Sequence, residues 1–109
     1  MGAAPYALAV SALAPYKRMD LAIAACARLG LELRIVGTGP EESRLRALAA
    51  ESRIPVRFLG RVPPEALRDL YRGAVCFVQP GIEDFGIAAA EAQACGTPVV
   101  AAGRGGVLD

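Results

Sequence analysis

Short apolar runs alternate with longer amphipathic segments along this chain. Tyr6 to Leu13, Leu31 to Val36, Val56 to Leu59, Val75 to Val78 and Val99 to Ala102 are mostly hydrophobic on both faces, as strands covered on both sides are. Four helical patterns lie between them. In the first, Leu21, Ala24, Ala25 and Leu29 fall at helical spacing, and Gly30 stands where a C-terminal cap belongs. The second is expected to start with Pro40 in its first turn and with Glu41 and Glu42 at the positive end of the helix dipole. Leu45, Leu48 and Ala49 form its inner stripe. The third opens at Pro63-Pro64-Glu65 and buries Leu67, Leu70 and Tyr71 before Gly73; the fourth runs from Gly86 to Cys95 and is stopped by Gly96-Thr97-Pro98. Five strands alternating with four helices predict an α/β, Rossmann-like domain. Its expected form is a three-layer α/β/α sandwich around a five-stranded parallel sheet in the order 3-2-1-4-5.

Composition narrows the chemistry more than the fold. The 109 residues suffice for one small domain with a real core. Lys+Arg 12 against Asp+Glu 11 leaves a net charge of +1, so no electrostatic argument points to nucleic acid or an anionic membrane surface. With no histidine, a Ser-His-Asp triad, a Cys-His pair and a histidine-bearing zinc site are excluded within the chain. Cys26, Cys76 and Cys95 are widely spaced in apolar surroundings, which reads as buried thiols in a reducing compartment. Residues 3–15 are nearly all apolar but too short to span a bilayer, and no basic residue precedes them as a signal peptide requires. The chain is expected to be cytoplasmic. Its last residues, Gly103 to Asp109, read as a loop entering a fifth helix that is then cut off.

In an open parallel sheet, ligands bind beyond the carboxyl ends of the strands. Gly37-Thr38-Gly39-Pro40 follows a strand and opens a helix, but lacks the third glycine of a dinucleotide fingerprint, and Glu41 and Glu42 would repel a pyrophosphate. It reads as a tight turn in which Gly39 still lets a ligand approach the backbone. Lys17, with Arg18 beside it, either reaches a phosphate across the cleft or is a solvated cation near Asp20. The strongest local signal is Gln79-Pro80-Gly81-Ile82-Glu83-Asp84-Phe85-Gly86-Ile87, running into Ala88-Ala89-Ala90-Glu91. The N–H groups of Phe85, Gly86 and Ile87 at a helix N-terminus would form an anion site without side-chain charge. Glu91 is either a solvent-facing helix position or a buried carboxylate that needs partners.

Glu83 and Glu91 form a Glu-x7-Glu pair within EDFGIAAAEAQACGTPVVAAGRGG. The segments VSALAPYKRMDLAIAA, LRIVGTGPEESRLRALA and VRFLGRVPPEALRDLY precede it in that order. Together they resemble retaining glycosyltransferases of the two-Rossmann-domain (GT-B) architecture, group 1 or family four, in a form similar to bacterial mannosyltransferases of cell-surface polysaccharide synthesis. The resemblance covers essentially the whole chain. It implies that residues 1–109 are an incomplete C-terminal, nucleotide-sugar-binding domain, without the last strand, the crossover helix and the N-terminal acceptor domain.

By that resemblance the chain binds a nucleotide-diphospho-sugar, GDP-mannose first, for retaining transfer of a hexose to a glycan or lipid-linked acceptor. Glu91 would accept hydrogen bonds from the two ribose hydroxyls, and Glu83 would grip and orient the donor sugar. The amides of Phe85, Gly86 and Ile87, next to Asp84, would hold the diphosphate. Lys17, with Arg18, would supply positive charge; Gly39 would line the donor site and Val62 would lie near the base. No cofactor or metal is implied. The family commonly carries an arginine just after the first strand; here that place holds Ala12, in Ser11-Ala12-Leu13, which shifts phosphate neutralisation to Lys17, Arg18 and the helix amides.

The resemblance further implies that this chain alone would bind donor without completing transfer. The exposed edge of the fifth strand would favour a homo-oligomer, and the full-length enzyme would be peripheral at the inner membrane face. The competing function class is a non-catalytic nucleotide-binding or excised structural Rossmann module. An NAD-dependent oxidoreductase on the same scaffold would need the glycine fingerprint the sequence lacks.

Overall fold

A run of apolar side chains buried on both faces forms the first strand, β1 (Tyr6–Val10), in a computed structural model that describes residues 5–79 and 99–101. The chain then forms a single 3-10 turn, Pro15–Lys17, and helix α1, Met19–Leu29. It continues through β2 (Glu32–Val36), α2 (Glu42–Ala50), β3 (Val56–Gly60), α3 (Pro64–Gly73), β4 (Cys76–Gln79) and β5 (Val99–Ala101). The five strands form one sheet in the order β3-β2-β1-β4-β5, and all four ladders are parallel, as the sequence pattern predicts.

The helices divide the sheet into two faces. Ala7 and Ala9 of β1, Leu33 and Ile35 of β2 and Val78 of β4 join Met19, Ala22, Ile23 and Cys26 of α1 and Leu45 of α2 in one cluster. Tyr6, Leu8, Val36 and Phe77 point the other way and pack with Tyr71 of α3, flanked by Leu67 and Leu70. The period-two alternation of the strands feeds these two layers. Cys26 is buried, and burial, with Cys76 nearby, pushes its thiol up to about 11; Cys76 is half-buried and also raised by burial. Cys95 and the expected fourth helix, Gly86 to Cys95, lie outside the described residues.

Most boundaries follow local chemistry. Gly30 caps α1 in the left-handed region at φ 67°, and Pro64 stands at the first position of α3, where a missing N–H is harmless. Three expectations are corrected. The buried face of α1 is Met19, Ala22, Ile23 and Cys26 rather than Leu21, Ala24, Ala25 and Leu29, of which Ala24 and Leu29 are exposed, and in α2 Leu45 is buried while Leu48 of the expected inner stripe is exposed. Helix α2 begins at Glu42, not at Pro40, because Glu42 N–H turns back to Gly39 O (3.2 Å) and Glu41 N–H leaves the helix for Leu13 O (2.9 Å). Strand β2 is not hydrophobic on both faces: Glu32 and Arg34 occupy its α3 side, where Glu32 is buried and accepts Nε–H bonds from Arg34 (2.7 Å) and Arg57 (2.9 Å). Burial alone would raise the Glu32 carboxyl; the two guanidinium hydrogen bonds outweigh it and hold the group below the ordinary glutamate range. No helix of the described residues is long and apolar enough to cross a membrane.

Candidate functional site

The sheet order places the site before any side chain does. From β1 the chain steps through β2 to β3 on one side, then crosses to β4 on the other side of β1. Strand order therefore reverses between β1 and β4, and in open parallel sheets the ligand crevice lies at the carboxyl ends of such a pair. The turn after β1 carries Lys17 and Arg18, and the chain leaves β4 at Gln79 on the same end. The expected residues Glu83, Asp84, Phe85, Gly86, Ile87 and Glu91 lie outside the described residues.

Next to this point the loops after β1 and β2 are laid directly on one another. Ser11 N–H donates to Val36 O (3.0 Å), Leu13 N–H to Thr38 O (2.9 Å), and Glu41 N–H to Leu13 O (2.9 Å). Glycine is required for this approach. A Cβ on Gly37, whose φ is 141°, would overlap the Ser11 carbonyl, and one on Gly39 would fall on the Leu13 backbone. The Gly-Thr-Gly turn thus has a packing reason of its own, with Leu13 wholly buried beneath it. Gly37 N–H reaches across to Gly60 O (2.9 Å), which extends the same contact to the end of β3. Val62, beyond that end, packs its side chain against the cluster on the α3 face.

The cations are arranged unequally. Lys17, half-buried, closes the 3-10 turn with its N–H on Ala14 O at 3.0 Å. Arg18 comes next, in the left-handed region at φ 53°, the one non-glycine with positive φ among the described residues. Its Nε and Nη2 donate to Oδ1 and Oδ2 of Asp20 at 3.0 and 3.1 Å. That bidentate bond from Arg18 holds the Asp20 carboxyl below its ordinary range, against partial burial and with help from Arg44. Arg44 in turn donates Nε–H to Glu41 at 2.6 Å, so the starts of α1 and α2 share one chain of charges. The significance of Asp20 is missed by motif reading; its signal is an acid two residues beyond a cation at a helix start. A groove of about 240 Å³ between α1 and α2, lined by Ile23, Ala24, Ala27 and Leu48 among others, contains none of the expected site residues.

A family model described as Glycosyl transferases group 1 matches residues 2–109. A D-inositol 3-phosphate glycosyltransferase of Acidothermus cellulolyticus is 42% identical over 92% of this chain and 26% of its own length. A GDP-mannose-dependent monoacylated alpha-(1-6)-phosphatidylinositol monomannoside mannosyltransferase of Corynebacterium glutamicum is 38% identical over 88% of this chain and 29% of its own. The chain thus spans about a quarter of the length of these curated relatives. Among solved structures, the catalytic domain of cholesterol-alpha-glucosyltransferase from Helicobacter pylori superposes with a TM-score of 0.78 at 25% identity, covering 89% of this chain and 64% of that one. A pneumococcal O-GlcNAc transferase in complex with UDP and GlcNAc gives 0.75 at 28% identity, covering 92% and 21%.

Proposed function

The chain belongs to the glycosyl transferases group 1 family, and on that premise we propose that it is the donor-binding part of a retaining hexosyltransferase. The donor is a nucleotide-diphospho-sugar, GDP-mannose first, and the acceptor a glycan or lipid-linked hydroxyl. The observation that carries this reading is the convergence at one point of the fold. The turn bearing Lys17 and the end of β4, after which the Glu-x7-Glu segment comes in sequence, flank the place where strand order reverses. The GDP-mannose dependence in the name of the Corynebacterium relative supports that donor, while the UDP of the pneumococcal structure keeps uridine donors as the comparison to test against.

In this reading the bond between the anomeric carbon and the diphosphate oxygen breaks, and the nucleoside diphosphate leaves with the electron pair. The acceptor oxygen bonds to that carbon on the same face and gives up its proton to the departing diphosphate oxygen. The N–H groups of Phe85, Gly86 and Ile87 stabilise the growing charge on the leaving group as fixed dipoles, beside Asp84. Lys17 adds a point charge, with Arg18 next to it and no metal in the scheme. Glu91 accepts from the ribose diol, since a carboxylate offers two oxygens at suitable spacing. Glu83 orients the sugar, Gly39 lines the donor site, and Val62 lies towards the base. The parent enzyme works in the cytoplasm, in the synthesis of cell-surface polysaccharide.

Calorimetric titration of the chain with GDP, UDP and NAD tests the reading. A nucleoside diphosphate should bind and NAD should not; Glu91→Ala should weaken that binding by about 1–3 kcal/mol, and a 2′,3′-dideoxy nucleotide should no longer distinguish the variant from wild type. Equal binding of all three ligands, or of ribose and dideoxyribose forms by wild type, would sink it.

A further inference from the structure

We propose that Asp20 is a positioning residue for the donor diphosphate, acting through Arg18 to hold the turn that carries Lys17. The proposal rests on the reading of Lys17 as the cation facing the diphosphate. The turn itself is short. Pro15–Lys17 is three residues long, and its two backbone hydrogen bonds run from Lys17 N–H to Ala14 O (3.0 Å) and from Arg18 N–H to Pro15 O (3.2 Å). It then has to reverse into α1 at Arg18, with φ 53° and ψ 48°, a conformation that costs a residue with a Cβ and that glycine adopts freely. Arg18 is also the N-cap of α1, yet it has no side-chain cap to offer.

The ion pair fits that backbone and no helical alternative. On a helix, residues two apart point to different sides and cannot meet. Arg18 reaches Asp20 with both Nε and Nη2, at 3.0 and 3.1 Å, because residue 18 stands outside the helix in the left-handed region. Were Arg18 to wind into α1, the fork would open. The bidentate bond therefore stabilises the left-handed turn specifically. Its anchor is firm: Asp20 lies in the first turn of α1, directly after buried Met19, with its side chain 23% exposed against 53% for Arg18. The charge of Arg18 is matched locally by Asp20.

Amide hydrogen exchange on the whole chain reads the clamp directly. In Asp20→Ala, exchange at the Lys17 amide should rise about two- to fivefold relative to β1 amides, the range an exposed ion pair can supply. Adding Arg18→Gly should restore protection, because glycine holds the turn unaided. GDP affinity should fall by the same factor in Asp20→Ala, while guanosine affinity stays unchanged. Unchanged exchange at Lys17, an equal rise across β1, or no recovery with glycine would overturn the proposal. GDP binding lowered by Lys17→Ala but not by Asp20→Ala would overturn the role of Asp20. GDP binding indifferent to Lys17→Ala would instead overturn the reading of Lys17 on which the proposal stands.

Discussion

On the face of the sheet beneath α1 and α2, Ala7, Ala9, Leu33 and Ile35 pack in one apolar cluster and are wholly buried. On the face beneath α3, Tyr6, Leu8 and Phe77 share the surface with Glu32, Arg34 and Arg57. Strand β2 carries the contrast within five residues: Leu33 and Ile35 are apolar on one side, while Glu32 and Arg34 stand beside Val36 on the other. The first face is held by dispersion and area, which depend on shape. The second is held in part by directional bonds: Arg34 lies 3.8 Å over the Tyr6 ring, and Tyr6 hydroxyl donates to Leu70 O at 2.8 Å, pinning α3 to β1. Two different chemistries can thus dock helices on one sheet, and they should fail differently.

The sharpest break comes from the apolar face. Ile35→Ala should cost about 2–5 kcal/mol, because α1 and α2 cannot both collapse into the cavity. Denaturant unfolding measures it, and a loss below that of any change on the charged face would erase the distinction.

Removing the charge is expected to cost less. Glu32→Gln should lose about 1–3 kcal/mol at neutral pH, since two guanidinium bonds to a carboxylate weaken but both arginines still reach water. This loss carries a pH signature. The folded Glu32 carboxyl sits below its ordinary value of 4.5, so its contribution is complete above that value and disappears as pH falls through the depressed folded one. Stability-against-pH curves of wild type and variant should therefore converge on acidification below about 4.5. Parallel curves would show that the pair contributes packing alone. Smallest of the three, Tyr6→Phe should cost about 0.5–1.5 kcal/mol by deleting one hydrogen bond to Leu70 O and nothing else. An effect as large as that of Ile35→Ala would mean that the hydroxyl, not ring burial, governs how α3 docks.

The strands and their order were legible because parallel, doubly covered strands are apolar runs and because glycine and proline mark helix ends, as at Gly30 and Pro64. The charged side of β2 was written plainly in Leu31-Glu32-Leu33-Arg34-Ile35-Val36, as alternation, but a run bounded by leucine and valine reads as uniformly hydrophobic. What composition cannot convey is the third partner, Arg57, brought beside Glu32 only by the pairing of β2 with β3. The start of α2 slipped for a similar reason: local chemistry favours a helix from Pro40, and a tertiary bond to Leu13 O takes the Glu41 N–H instead. Of the candidate site, the motif residues are legible by type and spacing, whereas the Arg18–Asp20 fork depends on a backbone conformation that an arginine does not announce.

The mutual backbone bonding of the loops after β1 and β2 has a consequence for hydration. Ser11 N–H, Leu13 N–H and C=O, Gly37 N–H and the carbonyls of Val36 and Thr38 are all engaged with protein partners. Main-chain groups engaged in this way offer water few anchors. Loosely held water is inexpensive to displace, and a ligand arriving there gains contact area without having to replace many hydrogen bonds. Under the proposed function, this part of the crevice wall would hold an uncharged portion of the donor, and discrimination for anions would fall to the neighbouring turn that carries Lys17.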